Sequence, residues 1–181
     1  MKTVCRRSLV LCMLSFCLAS CAGQKTPVAP QQQGAAQTTV TQQVTDAPGF
    51  SFSRGKALLY PGLDVTVFPD TGDVQTGYFE AESCAALGLD KTYVFSDYEV
   101  TTFPDGDKDL IASIIFKTDA VSTMEGADLS MSADDIRALY GAPDTETSRA
   151  LTYVKGDMRL MFFFDEDGFL TSVEYRFGVA E

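Results

Sequence analysis

TYVFSDYEV, at residues 92–100, returns 60 positions later as TYVKGDMRL, at residues 152–160. After one extra residue in the first copy, ASIIF at 112–116 matches TSVEY at 171–175. A period that persists over about 25 residues indicates an internal duplication. Chance similarity between two β-rich segments is the alternative explanation.

Helix signals are clearest in the second copy. Ser132 is a favoured N-cap residue, and Asp135 three positions later is an acidic variant of the capping box. Gly141 ends the predicted helix, and Pro143 prevents its continuation. One face of this helix carries three apolar residues: Ile136, Leu139 and Tyr140.

Alternating apolar residues predict strands after this helix, at 151–155, 158–164 and 171–177. The first copy has the same three strands but weaker helix signals. Its residues 63–70 contain β-branched residues and a proline, which favour an irregular turn over a helix. Residues 77–82 are a candidate extra strand.

We therefore predict an α+β fold, in which tandem units of a helix plus an antiparallel three-stranded meander share one sheet and one core. The units span about 49–120 and 121–181 of a single globular domain at 49–181. Phe50 and Phe52 predict an opening strand that packs on the edge of this core.

Several short motifs carry a resemblance to known lipoproteins. LSMS at 129–132 and GAP at 141–143, with Ile136 and Leu139 between them, resemble BamE-like small lipoproteins (the SmpA/OmlA group). The resemblance implies a helix followed by three strands, and two such units on one sheet are similar to the architecture of the β-lactamase inhibitory protein. The segment 82–93 with TMEG at 123–126 also resembles uncharacterised lipoproteins of gut clostridia.

The N-terminus reads as a lipoprotein signal peptide over residues 1–20. A basic start is followed by an apolar run of 11 residues at 8–18, which is shorter than the roughly 20 that a membrane span needs. LASC at 18–21 resembles the lipobox of bacterial lipoproteins, which implies a diacylglyceryl group on Cys21 and cleavage before it. An ordinary signal with a chance cysteine is the alternative. The expected localisation is extracytoplasmic, lipid-anchored to the bacterial cell membrane or outer membrane.

The segment after the signal is expected to be a tether. Residues 21–48 comprise the lipidated cysteine and a Gln-, Ala-, Thr- and Pro-rich stretch without aromatic residues. Such a composition buries too little apolar area to offset its ordering entropy, so we predict a flexible spacer with a reach of about 30 Å.

Charge limits the class of partner. The chain has 14 Lys and Arg against 25 Asp and Glu, and loss of residues 1–20 removes three basic residues, which changes the net charge from −11 to −14. Such a surface repels phosphate backbones, so we expect no nucleic-acid partner. We expect the membrane to be contacted through the lipid anchor, and a partner protein of basic or mixed charge in the cell envelope.

Composition also restricts catalysis. The chain has no histidine, which excludes Ser-His-Asp triads, Cys-His pairs and histidine zinc sites. Cys84 is the single cysteine after Cys21, and we expect it to be a packed small apolar side chain. We predict no catalytic residues, no cofactor and a protein that is not an enzyme, with a carboxylate-dependent hydrolase kept as an alternative.

Acidic turns are the candidate metal ligands. Asp105, Asp107 and Asp109 have the spacing that opens an EF-hand loop. Leu110 then replaces the glycine of that motif and Phe116 its bidentate glutamate, so we predict a solvated turn and no metal site. The same interpretation applies to DEDG at 165–168.

Met161 and Phe163 are the candidate binding residues. In the strand at 158–164 apolar residues occupy both faces, so one face is core and the other is either a binding face or is covered by the opening strand. The function that follows is a non-enzymatic protein-binding or scaffold module. The alternative, which is also a non-enzymatic binding function, is an inhibitor of an extracytoplasmic enzyme.

Lipidation has a direct test. We expect Cys21→Ala to leave the precursor unmodified and uncut by the lipoprotein-specific peptidase, because the thiol that accepts the lipid is gone. The native protein should partition into the detergent phase and the variant should remain in the aqueous phase. Equal partitioning of the two proteins would refute the lipoprotein hypothesis.

Overall fold

Eight strands form one antiparallel sheet in this computed structural model, which describes residues 47–84 and 86–178. The strands in chain order are β3 (Gly77–Glu82), β4 (Leu89–Val94), β5 (Tyr98–Asp105), β6 (Lys108–Phe116), β7 (Thr145–Thr147), β8 (Ala150–Lys155), β9 (Met158–Phe164) and β10 (Leu170–Phe177). Before them, β1 (Phe52–Arg54) and β2 (Ala57–Leu59) pair as a separate hairpin. The lipobox and nearly all of the predicted tether lie outside the described residues.

The order across the sheet reflects the sequence repeat. It runs β3-β4-β5-β6-β10-β9-β8-β7, so each half is a meander of consecutive strands. The halves meet where β6 pairs with β10, with Ile114 opposite Tyr175 and Ile115 opposite Glu174. The last described strand therefore lies in the middle of the sheet.

The predicted α+β class of tandem helix-plus-meander units is wrong. Strands hold 46% of the structure and helices 11%, and each half of the sheet has four strands instead of three. The described residues contain a single α-helix, α1 (Ala133–Tyr140), and one 3₁₀ helix at Val65–Thr71. Val65, Thr66 and Val67 disfavour an α-helix in this segment, and Pro69 has no N–H to donate within it. The protein is mostly β.

The capping box of α1 is confirmed. The Ser132 hydroxyl accepts from the Asp135 N–H at 3.3 Å, and the Asp135 carboxylate accepts from the Ser132 N–H at 3.0 Å. Ile136 is fully buried beneath the helix. Leu139, which the sequence placed on the same apolar face, is 41% exposed because a helix of two turns covers only a narrow stripe of the sheet.

The core lies on one face of the sheet and is covered by three short elements. The ring of Phe52, on β1, contacts the rings of Tyr98, Phe116 and Tyr175 at 5.1–6.0 Å between centroids. Phe68 of the 3₁₀ helix packs on Tyr93 and Phe95 in the first half. In the second half, Tyr140 of α1 packs on Tyr153 and Phe162.

The opening strand was predicted at the core edge, and this prediction is wrong. Phe52 has no exposed surface and lies over the centre of the sheet, where the two halves join. The hydroxyl of Tyr175, on β10, donates to the carbonyl of Ser51 at 3.2 Å, which fixes the entry to β1. A strand of three residues can take this place because it pairs only with β2 and presents its side chains to the sheet.

An ionic network holds the β1–β2 hairpin in position. Arg54 donates to Asp73 at 2.8 Å and to Asp97 at 2.8 Å. The buried Tyr98 hydroxyl donates to the Asp73 carboxylate at 3.0 Å, and burial raises the pKa of this phenol well above its ordinary value. These contacts connect the hairpin to the residues after the 3₁₀ helix and to the sheet.

Alanine substitutions at two glycines, Gly55 and Gly106, can test how closely the turn of the β1–β2 hairpin packs. Gly55 and Gly106 have similar positive φ angles, 59° and 61°, but a Cβ at Gly55 would lie 2.2 Å from the carbonyl oxygen of Thr71, whereas at Gly106 nothing lies within 4 Å. Gly106→Ala should lower the free energy of unfolding by about 1–2 kcal/mol, the cost of left-handed backbone for a residue with a Cβ.

Gly55→Ala should lower the free energy of unfolding by at least about 2 kcal/mol more than Gly106→Ala does, because the backbone must move to relieve the clash with Thr71. Urea denaturation of both variants measures the difference. Equal losses would contradict the close approach of the hairpin turn to Thr71.

Candidate functional site

The face of the sheet opposite the hairpin and helices is the candidate site, and we call it the open face. In β9 four residues alternate toward the core: Met158, Leu160, Phe162 and Phe164. Arg159, Met161 and Phe163 point the other way and are half-buried. Phe52 of the hairpin, Phe68 of the 3₁₀ helix and Tyr140 of α1 all contact rings on the core side. None of these three elements therefore covers the open face.

Strand register arranges the open face in rows that cross both repeats. The central row consists of Val94, Glu99, Ile115, Glu174, Met161 and Thr152, each opposite the next. The adjoining row consists of Thr92, Thr101, Ser113, Arg176, Arg159 and Val154. Phe163 lies opposite Ser172 and Ala150, on the other side of the central row. Apolar and charged residues are therefore mixed within one continuous surface.

A charged group occupies the middle of this surface. The Glu174 carboxylate accepts from Nε of Arg176 at 2.6 Å, and the Glu174 side chain is only 7% exposed, against 52% for Arg176. Arg159 is directly opposite Arg176 on the neighbouring strand. Its Nε is buried and has no hydrogen-bond partner among the described residues. Two guanidinium groups thus lie beside the Glu174 carboxylate, and Glu99 adds a second carboxylate to the central row, two strands away.

The sequence located part of this site. It identified Met161 and Phe163 as candidate binding residues, and the structure places both on the open face. Alternation in the strand at 171–177 puts Glu174 and Arg176 on the face away from the core, where charged side chains are usually solvated. Glu174 is buried because Ile115 and Met161 flank it on neighbouring strands, and only the register reveals those neighbours.

Cys84 was expected to be packed, and this expectation is wrong. Its side chain is exposed, in the connection that follows β3. A small apolar residue is usually buried, but here it lies in a turn beyond the core. Cys21, the predicted lipidation site, is outside the described residues.

In each acidic turn, a carboxylate is engaged in contacts within the protein. Asp109 is paired with Lys91 at 2.6 Å, and with Asp107 it lines an open cavity of about 300 Å³ between the β5–β6 turn and residues 87–91. In the second copy, Asp165 accepts from the N–H groups of Asp167 and Phe169 and so closes its own turn. Within 47–84 and 86–178, no group of three or more carboxylate or thiol side chains is placed to hold a metal.

The chain gives no match to a protein-family model, a curated protein or a solved structure. The resemblance to BamE-like lipoproteins therefore stays a prediction based on the motifs quoted above. In the part of the chain that the structure describes, neither helix has the length and apolar character to cross a bilayer.

The Glu174–Arg176 pair can be tested by stability. Arg176→Ala should lower the free energy of unfolding by about 1–2 kcal/mol, because it leaves a buried carboxylate without its donor. Arg149→Ala removes the exposed Arg149–Glu166 pair, whose side chains are 57% and 82% exposed, and should cost less than about 1 kcal/mol.

Replacing Glu174 by Met in the Arg176→Ala background should recover part of the loss, because the unpaired charge is then absent. Chemical denaturation measures all three variants. A loss no larger for Arg176→Ala than for Arg149→Ala would contradict the burial of Glu174.

Proposed function

We propose that this protein is a bacterial envelope lipoprotein, anchored through Cys21, that binds a partner protein through the open face and is not an enzyme. The observation that carries the proposal is the central row of the open face, in which Ile115 and Met161 flank the buried Glu174 carboxylate. The LASC lipobox at 18–21 supports the anchor and the location.

The residue types of the open face suit a protein interface. Interface centres are enriched in Met, aromatic residues and Arg, and depleted of Lys, Glu and Asp, so Glu174 and Glu99 depart from the usual composition. Met161, Phe163, Arg159 and Arg176 are of the enriched types, and they are adjacent across β9 and β10. The Nε of Arg159 has no acceptor among the described residues, and a partner carbonyl or carboxylate would supply one once this half-buried side chain turns outward. The partner is therefore expected to present an acceptor opposite this arginine.

An inhibitor of an extracytoplasmic enzyme is one form of this function, with the enzyme as the partner. A carboxylate-dependent hydrolase has less support. Such enzymes need two carboxyl groups free to act as acid and as base or nucleophile. In the open cavity beside the β5–β6 turn, Asp109 is already engaged by Lys91.

Crosslinking in the native envelope identifies the partner. A photoreactive amino acid at Val154, which is on the open face and 44% exposed, should capture one protein that mass spectrometry can name. The same group at Phe169, 71% exposed in the β9–β10 turn, is the control and should not capture it. Identical products from both positions would argue against the open face.

Affinity for the captured partner tests whether Met161 and Phe163 belong to the binding surface. The double variant Met161→Ser, Phe163→Lys should bind at least about tenfold more weakly, which is 1.4 kcal/mol. Its free energy of unfolding should change by less than about 1.5 kcal/mol, because both side chains lie outside the core. The matched control, Met124→Ser with Phe169→Lys, changes exposed residues elsewhere and should bind normally.

Two results would reject the proposal. A collapse of stability in the Met161→Ser, Phe163→Lys variant would show that these residues are core. Turnover of a glycan, peptidoglycan or peptide by the purified protein, abolished by a single Asp or Glu substitution, would show that it is an enzyme.

A further inference from the structure

The two edges of the sheet differ in how well they are protected. The β7 edge is only three residues long, and Arg137 of α1 pairs with Glu146 within it at 2.6 Å. The β3 edge is six residues long, and among the described residues β3 pairs only with β4. It contains neither proline nor lysine, the residues that commonly block edge strands. Its Phe79 and Tyr78 are 66% and 43% exposed.

The register shows which backbone groups of β3 face outward. The Ser83 N–H donates to the Gly88 carbonyl at 3.0 Å, in the same register that places Ala81 opposite Asp90 and Phe79 opposite Thr92. Hydrogen-bonded and non-bonded pairs alternate in an antiparallel ladder, so the odd-numbered residues of β3 bond to β4. Tyr78, Glu80 and Glu82 therefore direct their N–H and C=O groups away from the sheet.

Charge along this edge is negative. Glu80 and Glu82 project from the same face of β3, with Tyr78 donating its hydroxyl to Glu80 at 2.8 Å. Lys91, opposite Glu80 on β4, is engaged by Asp109 at 2.6 Å. Neither glutamate of β3 has a Lys or Arg within ion-pair distance in the described part of the chain.

The charge excludes a second copy as the natural occupant. Two β3 strands paired edge to edge would place four glutamates on one face of the joint, and like charges across a strand pair are destabilising. Cations at the same positions would instead pair with Glu80 and Glu82. The other face of an added strand would lie beside Phe79 and Ala81, which suits apolar residues.

We propose that β3 accepts an extended segment of a basic partner protein as a ninth strand of the sheet, with Lys or Arg facing Glu80 and Glu82 and apolar residues beside Phe79. The backbone ladder supplies affinity and the alternating side chains supply selectivity. The Phe79 side of this edge continues the open face, because Phe79 lies opposite Thr92, but Met161 and Phe163 lie on β9, five strands away. The proposal does not depend on the function proposed above.

The test uses the full-length chain in detergent micelles and a fluorescent synthetic peptide of alternating Lys and Val, followed by anisotropy. The peptide should bind saturably, and the same peptide with Glu in place of Lys should not. Glu80→Gln, which keeps the backbone N–H, should weaken binding about threefold. Asp167→Asn removes an equal charge from a distant exposed turn and should leave the affinity within about twofold.

Glu80→Pro provides the sharper variant. It removes an N–H that points outward, so the β3–β4 ladder keeps its bonds, and it should weaken peptide binding at least about tenfold. The Met161→Ser, Phe163→Lys variant should bind the peptide normally, which separates failure of this proposal from failure of the open face.

Hydrogen exchange of the unmodified chain decides the question even if Glu80→Pro does not fold. Bound peptide should slow exchange at the amides of Tyr78, Glu80 and Glu82 at least about tenfold, and leave Phe79 and Ala81 unchanged. Absence of saturable binding, equal binding of the acidic peptide, or protection elsewhere would overturn the proposal. Concentration-dependent dimerisation that Glu80→Pro abolishes would also overturn it, because a second copy would then occupy the edge.

Discussion

The fold depends on the contact between Phe52 and the line where the two halves of the sheet join. The ring lies on Tyr98, Phe116 and Tyr175, which belong to three adjacent strands from both repeats. The two repeats join where β6 pairs with β10, so the single side chain of Phe52 covers that junction. The hairpin that carries Phe52 is held in turn by Arg54 with Asp73 and Asp97.

This arrangement also accounts for the open face. The hairpin, the 3₁₀ helix and α1 all lie on the same side of the sheet, where Val121 and Ala127 of the segment before α1 are also buried in the core. The opposite side keeps the alternation of a half-exposed sheet, and Ile115 and Met161 flank Glu174 at its centre. Glu174 is therefore buried between neighbours in its own sheet and not beneath a covering layer.

Local signals in the sequence predicted local structure well. The cap at Ser132 and the alternation in β9 and β10 matched the structure because each depends on residues close in the chain. The extra strand expected at 77–82 is β3, but the fold class failed because helices hold only 11% of the structure. The first half has a 3₁₀ helix in place of an α-helix, and the three exposed residues of β7 add a strand that no buried pattern signals. Met161 and Phe163 were placed on a face, but the burial of Glu174 and the position of Phe52 depend on pairings between distant segments, which a single sequence does not reveal.

The central position of β10 has a consequence for the order in which the protein forms. Tyr175 bonds to Ser51, 124 positions earlier, and β6 and β10 pair only once the last described strand is present. Contacts between such distant residues slow folding, because the entropy of closing a long loop is lost before the contacts form. The first repeat would therefore emerge from the ribosome well before its neighbouring strand exists. A chain with this topology stays unfolded for longer, and the β6 edge remains unpaired until β10 has been made.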